Sequence, residues 1–230
     1  MLEDRLRING KLPRSRIVTA SGCRATTLDT IELYSRMVPE IGIFTTKSIG
    51  PAPNPGNHAP IYCIEPSVGP KARRNAVGLA NPGHEYFAAE LEHLRKTSLD
   101  LEGVILLGSV YGANLDEIVT VSRTLAVYLD AIEINFSCPH AKGYGQEVGR
   151  DADAIRNIVH AVKEETGKDV FAKLSPNLTN DDLSDIAKSC IVAGAKGITV
   201  STQWARASHA LRALRFRHFT MAKAVSQARR

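Results

Sequence analysis

Residues 131–140, with the sequence AIEINFSCPH, contain the pattern that decides the fold. A β-like run from Ala131 to Asn135 ends in a polar residue, and Cys138 follows on a segment whose turn is restricted by Pro139. A thiol at the end of a strand can act as a general base, a nucleophile or a metal ligand. A metal site would need more cysteine or histidine ligands than His140 alone supplies. The alternative to any chemical role is that Cys138 is a small, buried apolar side chain, as free cysteines usually are.

The sequence on both sides of this segment alternates short β-like runs with helical patterns, which is typical of βα units around a parallel sheet. Apolar residues recur at i, i+3, i+4 and i+7 in residues 155–162 and 183–190. Thr179 and Asn114 are the predicted N-caps of two helices, and Glu117 would complete a capping box with Asn114. The strand candidates are residues 17–20, 42–46, 104–108, 131–135, 170–174 and 197–200.

Polar residues cluster at the ends of these strands and distinguish between two α/β folds. They are Ser21, Lys47, Ser109, Asn135 and Lys173. A (β/α)8 barrel places its active site at the C-terminal ends of its strands, whereas a doubly wound sheet would carry a glycine-rich first turn that this sequence lacks. We therefore predict an α/β fold of the (β/α)8 TIM-barrel type, incomplete, with about six of its eight βα units.

Two segments interrupt this alternation. Residues 51–70 hold six of the eleven prolines, so we expect a long loop without regular structure. Residues 204–230 are rich in alanine and arginine and contain no further strand pattern. We expect a barrel domain over residues 1–203 and a basic tail over residues 204–230, which suggests a truncated or frame-shifted gene end.

The charge distribution argues against a nucleic-acid-binding body. The net charge is +5, but residues 204–230 carry seven basic and no acidic side chains, which leaves 22 basic against 24 acidic in residues 1–203. The four cysteines are scattered, as is typical of a reducing compartment. No apolar stretch is long enough to cross a membrane and the first ten residues lack a signal-peptide core, so we expect a cytoplasmic protein.

Five motifs, in the same order along the chain, resemble those of class 1 dihydroorotate dehydrogenases. They are Ala20-Ser21-Gly22 (20–22), Thr46-Lys47-Ser48 (46–48), NAVGLANPG (75–83), NFSCPH (135–140) and KLSPN (173–177). Residues 197–200 (GITV) also match the start of the sixth strand in that family. The resemblance covers about residues 15–202 and implies an FMN-dependent enzyme that oxidises dihydroorotate to orotate in pyrimidine biosynthesis.

The resemblance also implies roles for individual residues. Cys138 would be the catalytic base that removes the C5 proton of dihydroorotate while hydride passes from C6 to the flavin. The residues expected to bind FMN are Ala20, Ser21, Gly22, Lys47, Ser48, Ser109, Asn135, Lys173 and Val200. The residues expected to bind the pyrimidine are Lys47, Asn75, Gly78, Leu79, Asn135 and His140. Asn81 is expected to form a turn, and Cys190 to lie in the core.

The sequence departs from the family pattern at three places. His140 replaces the usual asparagine and resembles the pyrimidine-reducing domain of dihydropyrimidine dehydrogenases, so uracil or thymine is the alternative substrate class. Ser201-Thr202-Gln203 replaces the expected Asn-Thr pair, and the seventh and eighth strand motifs that would bind the FMN phosphate are missing after Trp204. A non-catalytic remnant with a basic interaction tail is therefore a third alternative. For an enzyme, we expect a homodimer and a separate electron-transfer subunit as partners.

Overall fold

The computed structural model describes residues 7–22, 27–64, 73–97, 101–137, 151–175 and 178–200. Its strands are β1 (Ile17–Val18), β2 (Ile41–Thr45), β3 (Tyr62–Ile64), β4 (Arg73–Asn75), β5 (Ile105–Val110), β6 (Ala131–Asn135), β7 (Asp169–Leu174) and β8 (Gly197–Val200). Its helices are α1 (Leu28–Met37), α2 (His84–Thr97), α3 (Leu115–Ala126), α4 (Ala152–Thr166) and α5 (Asn180–Val192). All six predicted strands are therefore present, with boundaries that differ by up to two residues.

Six of the strands form one parallel sheet in the order β1-β2-β5-β6-β7-β8. This order follows the chain, as it does in a (β/α)8 barrel, where each helix returns the chain to the next neighbouring strand. The register places Asn135 of β6 opposite Lys173 of β7. The predicted incomplete TIM-barrel architecture is confirmed.

Helix ends follow local sequence signals. Thr179 accepts a hydrogen bond from the backbone N–H of Asp182, as predicted for the N-cap of α5. Asn114 likewise accepts from the N–H of Glu117 at the start of α3. The carboxylate of Glu117, however, accepts from the N–H of Ala113 rather than that of Asn114, so the predicted capping box between Asn114 and Glu117 does not form.

The two faces of the sheet bury different side chains. Ile132 and Ile134 of β6 belong to the large core that packs against the helices, and Cys190 of α5 lies fully buried in the same core, as predicted. Ala131 belongs to a smaller inner cluster. Successive side chains of a strand point to opposite faces, so Glu133 and Asn135 follow Ala131 on the inner face.

The inner face changes from apolar to polar along the strands. On β5, Ile105 and Leu107 lie in the inner cluster, and Ser109 is the next residue on that face. On β7, Phe171 lies in the inner cluster and is followed by Lys173. Polar groups therefore collect at the C-terminal ends of the parallel strands, where the fold places active sites.

A short N-terminal hairpin covers the opposite end of the sheet. Ile8 pairs with Lys11, and the Ile8 side chain is buried in the inner cluster. The backbone N–H of Asn9 donates to the Asp169 carboxylate (2.7 Å) at the start of β7. The hairpin is thus held at this end of the sheet by apolar contacts and a hydrogen bond.

The prediction that residues 51–70 contain no regular structure is wrong for residues 62–64. Tyr62–Ile64 forms β3, which pairs antiparallel with β4, Arg73–Asn75. The segment from Ile61 to Ile64 lies between prolines 60 and 66 and contains β-branched and aromatic residues, which favour a strand. The proline-rich segment before it is held by an antiparallel bridge between Asn54 and Asn81.

Candidate active site

Four predicted site residues from four strands are joined by hydrogen bonds. Ser48 Oγ lies 3.1 Å from Ser21 Oγ and 2.9 Å from Ser109 Oγ, and it accepts a hydrogen bond from Asn135 Nδ2 (3.0 Å). Ser48, Ser109 and Asn135 are buried, and Ser21 is half-buried. The C-terminal ends of β1, β2, β5 and β6 are therefore connected through side chains that the sequence had assigned to one site.

Thr46 strengthens this network, and the sequence had given it no individual role. Its carbonyl oxygen accepts from Ser21 Oγ (2.8 Å), and its hydroxyl accepts from the backbone N–H of Ser109 (3.1 Å). Its position beside Lys47 and Ser48 in one motif is the only signal that could have identified it. Thr46 holds the end of β2 to both neighbouring strands.

Lys173 forms a buried ion pair with Glu133 on the neighbouring strand. Lys173 Nζ lies 3.5 Å from Glu133 Oε1, and the two side chains are 12% and 3% exposed. Glu133 Oε1 is buried and accepts no hydrogen bond from the described residues. Sequence reasoning assigned no role to Glu133, although an acidic residue at an inward position of a buried strand is a recognisable signal.

Lys47 lies beside the turn that follows β1. A Cβ atom built on Gly22 would stand 3.7 Å from Lys47 Cδ and 3.9 Å from Lys47 Nζ, so the lysine side chain runs along the glycine backbone. Gly22 has a φ of +75°, a conformation that glycine adopts without strain. Ala20 is exposed at the same end of β1, and Val200 is half-buried at the end of β8.

The predicted substrate loop, residues 75–83, begins at the end of β4 with Asn75, whose partner in β3 is Tyr62. Gly78 and Leu79 both have positive φ values, +75° and +58°. A left-handed leucine costs about 1 kcal/mol or more and persists only where surrounding contacts hold it. This backbone therefore has an unusual, fixed shape where the sequence predicts ligand contact.

Asn81 supplies those contacts. Its Oδ1 accepts from the backbone N–H groups of Gly83 (2.9 Å) and Gly50 (3.2 Å), the first bond being the predicted turn. Its Nδ2 donates to the Leu79 carbonyl oxygen and to the Tyr111 hydroxyl, both at 2.8 Å. Asn81 thus ties the loop to the segments that follow β2 and β5.

Cys138 and His140 lie outside the described residues, which break off after Ser137 and resume at Asp151. Ser137, the last described residue before them, is held by Asn135, whose Oδ1 accepts from the backbone N–H (3.1 Å) and the hydroxyl (2.8 Å) of Ser137. Ser137 is therefore anchored to the end of β6.

The described residues contain no group of three or more histidine, cysteine, aspartate or glutamate side chains that could hold a metal ion. None of their helices is long and apolar enough to cross a membrane.

Comparison with known proteins identifies the family. The dihydroorotate dehydrogenase family profile matches residues 7–215. The catalytic subunit of dihydroorotate dehydrogenase B (NAD(+)) from Methanocaldococcus jannaschii is 41% identical over 157 residues, which are 68% of this chain and 49% of the relative. The same subunit from Pyrococcus abyssi is 39% identical over 171 residues, which are 74% of this chain and 53% of the relative.

A solved structure supports the fold. The dihydroorotate dehydrogenase of Eimeria tenella in complex with ferulenol superposes with a TM-score of 0.72 at 20% identity, covering 90% of this chain and 62% of that protein. This chain spans about half the length of the curated relatives it matches. With the profile matching nearly the whole chain, we conclude that it belongs to the dihydroorotate dehydrogenase family.

Proposed function

We propose that this chain carries out the FMN-dependent oxidation of dihydroorotate to orotate in pyrimidine biosynthesis. The observation that carries the proposal is the hydrogen-bonded network at the strand ends, formed by Ser21, Ser48, Ser109 and Asn135. Lys173 lies opposite Asn135 in the register of β6 and β7. Asn135 of this network precedes Cys138 by three residues in the sequence. The names of the relatives support the same reaction.

The residues present fit a flavin ring. The turn at Gly22, with its positive φ and no side chain, would let a planar group approach the backbone of residues 20–22 beside Lys47. Lys47 and Lys173 bring positive charge to the two sides of the serine network, and such charge stabilises electron density that arrives on the ring. Ser21 and Asn135 would contact the ring. Ser48 and Ser109 would support these two side chains through the hydrogen-bond network, and Val200 would lie beside the ring at the end of β8.

The chain's own residues would supply the proton transfer. Cys138, as its thiolate, takes the C5 proton of dihydroorotate, and the C5–H electron pair forms the C5–C6 double bond as hydride leaves C6. The flavin, when bound, accepts that hydride.

The pyrimidine would be held by Lys47, Asn75, Asn135 and His140 together with the backbone of Gly78 and Leu79. The left-handed backbone of residues 78 and 79 supports this, because Asn54 and Asn81 bind its two carbonyl oxygens and fix its shape where the resemblance predicts ligand contact. We further propose a homodimer in the cytoplasm that passes electrons to a separate subunit. The relatives' designation as a catalytic subunit supports that last part.

A second candidate substrate class is uracil or thymine and their dihydro forms, favoured by His140 in place of asparagine. One experiment tests both candidates. The purified chain is loaded with FMN and mixed without oxygen with dihydroorotate or dihydrouracil, and bleaching of the flavin absorbance is followed. Faster bleaching by dihydroorotate supports the proposal, and faster bleaching by dihydrouracil supports the second candidate. No flavin binding and no bleaching would favour a non-catalytic chain.

A further inference from the structure

The hydroxyl groups around Ser48 form a chain in which every hydrogen can be assigned. We infer that Ser48 is a positioning residue that fixes the amide of Asn135, so that Asn135 offers a ligand one N–H donor and no acceptor. The inference deepens the proposed function, on which its meaning for substrate recognition rests.

The oxygen end of the Asn135 amide is determined by Ser137. The backbone N–H of Ser137 can only donate, and it lies 3.1 Å from Asn135 Oδ1. A reversed amide would place an NH2 group against this N–H, which is a repulsive contact between donors. The Ser137 hydroxyl donates to the same oxygen at 2.8 Å, so Oδ1 already accepts two hydrogen bonds.

The nitrogen end of the amide therefore faces Ser48. An amide NH2 has no acceptor capacity, so Ser48 Oγ must accept from Asn135 Nδ2. The direction of the remaining bonds follows from Thr46, whose carbonyl oxygen can only accept. Ser21 spends its single hydroxyl hydrogen on that oxygen.

The Ser48 hydroxyl must then donate to Ser21, because Ser21 has no second hydrogen for their 3.1 Å contact. Ser48 has then spent its own hydrogen, so Ser109 donates to Ser48 across 2.9 Å. Ser48 donates one hydrogen bond and accepts two, which uses the full capacity of a hydroxyl group.

Two consequences follow for a ligand. Ser48 is 3% exposed and keeps no hydrogen to give, so it acts through Asn135 rather than on the ligand. The second Nδ2 hydrogen of Asn135 has no acceptor among the described residues. The group of a ligand that meets it is therefore an acceptor, such as a carbonyl or carboxylate oxygen, and a donor at that position is disfavoured.

Side-chain amide NMR of the 15N-labelled chain tests the hydrogen assignment without any ligand. The Asn135 signals are identified as the pair missing from Asn135→Ala. We expect one of the two hydrogens to exchange slowly in the wild type and at least about tenfold faster in Ser48→Ala, because a buried hydrogen bond is lost. Ser48→Cys keeps the shape but is a weak acceptor, so it gives the same direction of change and serves if Ser48→Ala does not fold.

Two serine variants are the controls. Ser122→Ala removes a buried hydroxyl on α3, away from the site, and leaves the Asn135 signals unchanged. Ser109→Ala has a smaller effect than Ser48→Ala, because Ser48 retains a lone pair for Asn135. Unchanged Asn135 exchange in Ser48→Ala or Ser48→Cys, or a larger effect from Ser109→Ala, overturns the inference.

Calorimetric titration of the FMN-loaded chain with orotate connects the hydrogen assignment to recognition. We expect Ser48→Ala to weaken orotate binding roughly tenfold in the wild-type background and to have no further effect in Asn135→Ala, since coupled residues are not additive. Equal weakening in both backgrounds shows that Ser48 does not act through Asn135 and overturns the inference. Absence of orotate binding to the wild type refutes the proposed function, while the NMR result still decides the hydrogen assignment.

Discussion

The ammonium group of Lys173 lies 3.5 Å from the carboxylate of Glu133, on the neighbouring strand, and both side chains are buried. Each charge loses hydration on burial, and the attraction between them offsets part of that cost. A lysine held in this way cannot swing into solvent. The pair thus makes Lys173 a fixed positive charge beside Asn135.

Glu133→Gln should destabilise the fold by about 3 kcal/mol, because it leaves the buried ammonium uncompensated. Urea denaturation followed by circular dichroism measures the change. The control is Glu92→Gln, which breaks an exposed Lys96–Glu92 pair of the same type and should have little effect. Adding Lys173→Met to Glu133→Gln should restore part of the lost stability, and a purely additive loss would contradict the pairing.

Acid should weaken the contact between β6 and the N-terminal hairpin. Burial raises the pKa of Asp130, but the backbone N–H of Leu106, the Lys11 ammonium and the Arg95 guanidinium outweigh burial and hold it below 3.8. A lowered folded pKa means that this stabilisation is present above the unfolded pKa, about 3.9, and is lost as pH falls through the folded value.

Asp130→Asn should therefore lower the free energy of unfolding by about 2 kcal/mol at neutral pH, and the difference from wild type should shrink below about pH 4. Urea denaturation at several pH values measures it. Asp185→Asn, which breaks an exposed pair with Lys188, is the control and should have little effect on the free energy of unfolding. A difference that stays constant with pH would mean that Asp130 acts through its shape rather than its charge.

Cys138→Ala should abolish dihydroorotate oxidation and leave FMN binding intact, because only the base is removed. Cys138→Ser should retain a low activity that rises with pH, since a hydroxyl is a weaker acid than a thiol. Steady-state rates and the flavin spectrum are the measurements. If Cys190→Ala in the core causes the same loss, misfolding explains both and Cys138 is not the base.

Cys190 should resist alkylation in the folded protein. Burial raises the pKa of its thiol to about 12, so the reactive thiolate is scarce at neutral pH, and the side chain is fully buried. Peptide mass spectrometry after iodoacetamide treatment, with and without urea, measures its modification. Rapid labelling without urea would show that α5 opens readily or packs differently.

Lys47→Ala should reduce turnover more than Lys47→Arg, because the arginine keeps the charge beside Gly22 although its geometry differs. Rates with dihydroorotate and the FMN dissociation constant are compared for both variants. Near-wild-type values for both variants would mean that Lys47 has no role in turnover or in FMN binding.

The sequence by itself determined what depends on local pattern. The six parallel strands, the N-caps Asn114 and Thr179 and the burial of Cys190 follow from periodicity, capping chemistry and apolar spacing within a few residues. The same reasoning failed for β3, because proline content was averaged over residues 51–70 while the strand occupies the short proline-free part. The order of motifs along the chain was sufficient to identify the family.

Only the tertiary structure decided which side chains meet and in which direction they bond. Ser48 and Asn135 are 87 residues apart in the chain, and their contact depends on the register of three strands, β2, β5 and β6. The partner of Glu133 depends on the register of β6 against β7, which places Lys173 within reach. No local pattern encodes such a register, because it is set by packing across the whole sheet.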